Sequence, residues 1–173
     1  DSMSGSFEKL DVPPTLVSFA VTTGKTGEVV SPEFKAAGHK VCLLTPAYDE
    51  NDLPETASLL ETFDTVTGLL RSGKAVAAYT PGMGGVAEAV MKMGFGNGFG
   101  FAFDDALTLD ELFGYAYGSF VLEMADGTVG KGLGVTTADG SFSYHGETLF
   151  QTEVLSAYEN KLESVYACNI PTP

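Results

Sequence analysis

The sequence predicts an α/β fold, a mixed β-sheet with helices packed on its faces. Strand-like apolar runs alternate with segments of helical period, and glycine- and proline-rich turns separate them. The composition is also that of one globular core, with 44% apolar residues in 173. Area scaling for a chain of this size leaves about 69% of the unfolded surface buried.

Leu16–Thr22 is β-branched and aromatic, follows Pro13-Pro14, stops at Gly24 and reads as a buried strand. Lys40–Leu44, between Gly38 and Pro46, reads as a second strand. Pro54 opens a helix as a first-turn proline, with Glu55 set against the helix dipole. Leu59, Leu60, Phe63, Val66, Leu69 and Leu70 recur on one face of it, and Ser72-Gly73 ends it. Lys74–Tyr79 has strand length and runs into the turn Thr80-Pro81-Gly82-Met83-Gly84-Gly85. A short apolar helix over 86–93 follows, ended by Gly94. Gly98–Phe103 reads as a strand, and Thr108-Leu109-Asp110-Glu111 is a capping box that predicts a helix to about Tyr117. Asp126-Gly127 and Asp139-Gly140 mark tight turns among strands near 119–125, 133–137 and 141–145. Thr152 is placed to cap a last helix that buries Leu155, Tyr158, Leu162 and Val165.

Twenty-three acidic residues against nine basic ones give a net charge of −14. A field of that sign repels phosphate backbones and anionic membranes, so nucleic-acid binding and membrane association are not expected. No apolar run reaches the length of a span and no basic-then-apolar leader opens the sequence, so neither a membrane span nor a secretory signal is expected, and the cysteine usage points in the cytoplasmic direction. Cys42 and Cys168 lie 126 positions apart and form neither a metal spacing nor a redox pair. Cys42 reads as a small buried hydrophobe.

The turn at 80–86 is the leading candidate site. A strand, a glycine-dense turn and a helix start aim several backbone N–H groups at one point, where the helix dipole adds positive charge. Gly82, Gly84 and Gly85 leave room for a phosphate, since no β-carbon stands in its way. A tight turn whose glycines meet only packing demands explains the same residues. The spacing lacks the third glycine of a dinucleotide fingerprint and the Gly-Lys-Ser/Thr ending of a P-loop. Gly94–Gly100 reads as a flexible lid or as a helix C-cap, and Asp104-Asp105 as a Mg²⁺ pair or as a turn. His39 reads as exposed, His145 has no serine or cysteine partner at a telling spacing, and Lys25 reads as a solvated loop base. No catalytic residues and no metal ligands are assigned, and no cofactor is expected on this chain.

Asp11–Val21 and the glycine turn entering Val86-Ala87-Glu88-Ala89 resemble the large form of phosphoribosylformylglycinamidine synthase, in its second domain of the aminoimidazole ribonucleotide synthetase C-terminal type. The resemblance runs over nearly the whole chain. It implies a piece of an ATP- and glutamine-dependent ligase of purine biosynthesis, which converts formylglycinamide ribonucleotide, glutamine and ATP into formylglycinamidine ribonucleotide, glutamate, ADP and phosphate. ATP and Mg²⁺ belong to the parent enzyme, and the piece alone is expected to be inactive. Residues 1–12 would be an arm from the preceding ATP-handling domain, 13–168 the synthetase-type domain and 169–173 a stub before a glutaminase domain. Carried over by position, a phosphate of substrate or ADP would meet Gly82, Gly84 and Gly85. Related turns open with aspartate where this chain has Thr80, so the acidic contact is missing. A non-catalytic phosphate-binding or structural module of the same superfamily is the alternative, and a detached domain would expose an apolar face and self-associate.

Overall fold

Residues 2–166 are described in a computed structural model of the chain. Nine strands and four helices are present among them. Two strands, β1 (Ser2–Phe7) and β2 (Leu10–Leu16), pair antiparallel as a separate hairpin. The others form a seven-stranded sheet: β3 (Lys40–Leu44), β4 (Ala75–Tyr79), β5 (Gly100–Phe103), β6 (Phe120–Met124), β7 (Lys131–Thr137), β8 (Ser141–Tyr144) and β9 (Glu147–Phe150). Their spatial order is β4-β6-β3-β7-β5-β8-β9. Every pair is antiparallel except β5 with β8, so the sheet is mixed as the sequence predicts.

Both faces of the sheet are covered, and strand alternation shows how. On β3, Val41 enters one core and Cys42 the other; on β6, Val121 and Leu122 divide in the same way. The larger core gathers Val86, Ala89, Val90 and Met93 of α2 (Gly85–Phe95) and Leu112 of α3 (Leu109–Phe113) against Phe101, Leu133 and Phe142. The smaller one sets Val66 of α1 (Thr56–Arg71) against Cys42, Ala75, Leu122 and Met124. Continuous apolar runs such as Val41–Leu44 are therefore strands buried on two faces. No helix of the described residues is long and apolar enough to cross a membrane.

A strap over 33–39 closes one end of the larger core. Phe34 is fully buried and stacks on Phe101 with ring centroids 5.8 Å apart. Its N–H donates to Met93 O, and Asn97 donates to its carbonyl. Gly38 and His39 are tied to Thr136 by backbone and hydroxyl bonds.

Several expectations are corrected. The strand read at Leu16–Thr22 is not formed there: β2 runs from Leu10 to Leu16, across Pro13-Pro14, and the residues after it have no regular structure and are exposed. Apolar strand residues are buried only where a sheet or helix covers them, and Phe19 and Val21 stand 80% and 89% exposed. Glu55, in extended conformation, takes the N-cap of α1, so Pro54 lies outside the helix. Of the expected α1 face, Val66 is buried whereas Leu60 and Phe63 remain exposed. The capping box is formed as read, but α3 stops at Phe113 because Gly114 turns extended and its N–H returns to Asp110 O. The last helix is shorter than its apolar pattern suggests. It begins with Gln151 and ends at Glu159 (α4), with Phe150 and not Thr152 at its N-cap, and Tyr158, Leu162 and Val165 are exposed. Strand β9 was not foreseen. Cys168 and the stub at 169–173 lie outside the described residues.

Candidate functional site

Strand β4 delivers the chain to the glycine turn at the mouth of the larger core. The turn closes on itself, Gly85 N–H donating to Gly82 O at 3.1 Å. Gly85 has φ +68°, and a β-carbon there would stand 2.7 Å from Leu112 O and 2.9 Å from Phe113 Cα. Glycine is required at this position because α3 packs directly on the backbone. Gly84 answers a different demand, since a β-carbon on it would lie 2.7 Å from Glu88 Cβ.

The anion at this helix start is supplied by the chain itself. Gly84 N–H donates to Glu88 Oε2 at 2.7 Å, and the other carboxylate oxygen takes a hydrogen bond from Lys92, one turn further along α2. The Lys92 hydrogen bond, followed by the Gly84 amide, holds the Glu88 carboxyl below its ordinary range, and the same contact raises Lys92. Lys92 Nζ also sits 5.4 Å from the Tyr158 ring centroid. A carboxylate in the first turn of a helix is where the dipole favours negative charge. Any external anion that uses the Gly84 amide has to displace this one.

Beside the turn opens an apolar cavity of about 630 Å³, walled by Ala87 and Met91 of α2, Leu112 and Phe113 of α3, Phe103, and Phe142 and Leu149 of β8 and β9. Tyr144 crosses its wall with the hydroxyl donating to Leu107 O. His145 lies at the rim with φ +50°; its N–H is held by Asp105 Oδ1 at 2.7 Å and its ring meets Tyr144 edge-on.

The other sequence candidates disperse. Asp104 caps its own turn through Ala106 N–H, whereas Asp105 holds His145, so the two carboxylates serve separate backbone groups. The Gly94–Gly100 run is a helix end and turn, with Gly98 N–H bonded to Gly94 O. Gly100 admits the close approach of β8, since a β-carbon there would fall 2.2 Å from Ser141 O. Lys25 pairs with Glu28, which also meets Arg71. His39 is half-buried rather than exposed, with Nδ1 2.7 Å from Glu123 Oε1. No group of three or more His, Cys, Asp or Glu side chains converges to hold a metal among the described residues. Sequence reading missed Glu88 and Lys92, although their i, i+4 spacing is the signal of a helix-surface ion pair. It also missed Glu123, which an apolar strand pattern conceals.

Comparison with solved structures gives the fold a counterpart. The chain is similar to T. maritima PurL complexed with AMPPCP, at 12% identity and TM-score 0.58, over 73% of this chain and 27% of that one. The PurL complex with FGAR gives 10% identity and TM-score 0.58, over 76% and 30%. The chain has the fold of a PurL segment. A third structure, phosphoribosylformylglycinamidine synthase II from Thermotoga maritima, matches at 9% identity with TM-score 0.58 over 73% and 27%. The chain thus spans less than a third of the length of the PurL structures it matches. No family model and no curated protein matches the sequence.

Proposed function

We propose that this chain is one domain of a PurL-type phosphoribosylformylglycinamidine synthase, the ATP- and glutamine-dependent ligase that forms formylglycinamidine ribonucleotide. The observation that carries the reading is the PurL fold recurring in a chain whose Asp11–Val21 segment and glycine turn independently resemble that enzyme. The domain's part is support: a two-faced sheet with a closed glycine turn, set beside ATP-handling and glutaminase domains of the same polypeptide in the cytoplasm. Residues 13–168 are the proposed domain, with 1–12 an arm from its neighbour and 169–173 a stub toward the next domain. ATP and Mg²⁺ would be held by the neighbours.

Within that assembly, the backbone at Gly82, Gly84 and Gly85 would meet a phosphate of the ribonucleotide or ADP only when Glu88 leaves the Gly84 amide. The purified chain, mixed with formylglycinamide ribonucleotide, glutamine and Mg·ATP, is expected to give no formylglycinamidine product; turnover would overturn the supporting role. Reading the parent reading frame on both sides of the chain tests the synthase assignment itself. Frames without ATP-handling and glutaminase domains would refute it. Calorimetry with ADP and inorganic phosphate tests the turn. Binding that strengthens in Glu88→Gln supports phosphate at Gly84, and equal heats in both proteins remove the turn as a site.

A structural module without phosphate binding is the second reading, and a specific contact favours it. Glu88 already satisfies the Gly84 amide and is itself neutralised by Lys92, so the turn is complete without a ligand.

A further inference from the structure

The apolar cavity beside the glycine turn borders the larger core and shares its residues. Leu112 and Phe142 in its wall are themselves buried, and Met91, Phe103, Tyr144 and Val154 pack against the same core. Helices α2, α3 and α4 and strands β5, β8 and β9 meet around it, so its shape is set by the packing of the fold. At about 630 Å³ it falls inside the range of small-molecule sites, roughly 300–1,000 Å³. Water gains few hydrogen bonds against such walls, whereas an apolar body gains by leaving water. Phe103, Phe113, Phe142 and Tyr144 are aromatic, which favours a flat ring as that body.

Charge chooses the polar end of the ligand. Glu88 and Glu147 line the cavity, and among the described residues no lysine or arginine does. Glu88 is already neutralised by Lys92, but the Glu147 side chain has no partner among the described residues. Asp105 adds a second carboxylate beside the rim, where it holds the His145 N–H at 2.7 Å. A carboxylate or phosphate on the ligand would meet these acids with no cation to offset them, in a chain that carries −14. A protonated amine would be drawn to Glu147, and aromatic faces attract the same charge.

We infer that this cavity binds a hydrophobic amine, its aromatic body against Phe103, Phe142 and Tyr144 and its ammonium group at Glu147. The site stands whether or not the chain belongs to a synthase. Three probes share one ring and differ in the charge of the tail: tryptamine, indole-3-propionamide and indole-3-propionate. Calorimetry on the full chain should rank their affinities in that order, with tryptamine about threefold or more tighter than the amide. Glu147→Gln, at an exposed position, should bring tryptamine close to the amide and leave the melting temperature unchanged. Location is read by methionine methyl NMR. Met91 should shift with tryptamine, and Met83, exposed at the glycine turn and outside the cavity wall, should not. A Met91 signal that stays in place at millimolar tryptamine overturns the inference. So do equal affinities for the three tails, or a tryptamine preference that survives Glu147→Gln.

Discussion

His39 Nδ1 stands 2.7 Å from Glu123 Oε1, and Glu123 is fully buried near the end of strand β6. The same carboxylate accepts the backbone N–H groups of Lys35 at 2.8 Å and Ala36 at 3.1 Å. One side chain therefore gathers two backbone donors and the His39 ring from the strap at 33–39 and fastens it over the larger core, beside the Phe34–Phe101 stack. A carboxylate can sit at this depth because its lone pairs are met by fixed donors.

Glu123→Gln puts an amide NH₂ where at least one of these donors needs an acceptor. A buried donor left unpaired costs about 1–3 kcal/mol, and loss of charge assistance adds to it. The expected outcome in urea unfolding is a destabilisation of about 3 kcal/mol, on the same scale. His39→Gln, at a half-exposed position, should cost about 1 kcal/mol. Faster hydrogen exchange at Lys35 and Ala36 in Glu123→Gln would tie the loss to the strap.

The glycines of the turn should separate by the atoms their β-carbons would meet. Gly85→Ala drives a methyl into the backbone of Leu112 and Phe113 from a positive φ. Backbone cannot yield as a side chain can, so a loss of about 2–4 kcal/mol is expected. Gly84→Ala meets the Glu88 side chain and should cost less. Gly82→Ala has only Glu88 Oε2 at 3.4 Å and should be tolerated. Melting temperatures of the three variants give the order directly, and a Gly82→Ala as damaging as Gly85→Ala would refute it.

Acid should weaken the fold in a defined window. The Ser31 hydroxyl, and after it Lys35, hold Glu33 from an ordinary 4.5 down to about 2. A carboxyl depressed in the folded state contributes fully above its unfolded pKa and loses that contribution as pH falls through the folded one. For Glu33 the window runs from pH 4.5 to about 2, and Glu88 acts in the same direction. The melting temperature of Glu33→Gln should fall less steeply than wild type across that window and run parallel to it above. Equal slopes would show that Glu33 is not responsible.

Thr108 accepts the Glu111 N–H while Glu111 returns to the Thr108 N–H. Thr108→Ala removes one half of this reciprocal cap and should cost about 1 kcal/mol. Because Leu112 of α3 lines both the core and the cavity, the variant should also expose the cavity to a hydrophobic dye at lower temperature.

The sequence by itself determined the elements whose signals are local. Apolar runs such as Val41–Leu44, the Thr108–Glu111 box and the Ser72-Gly73 stop need only their own neighbours, whereas α2 runs through the expected stop at Gly94 to Phe95, and the mixed α/β architecture follows from the order of the elements. Tertiary structure alone decided the rest, because those outcomes depend on contacts between residues far apart in the chain. It set Glu123 beneath a strap 84 to 88 residues away and sent Asp104 and Asp105 to different backbone groups. It left Phe19 and Val21 exposed, since a strand-like pattern is buried only where a packed layer covers it. At the glycine turn the sequence announced free amides, and folding brought Glu88 onto one of them: a helix start attracts an anion, and the nearest carboxylate belonged to the helix itself.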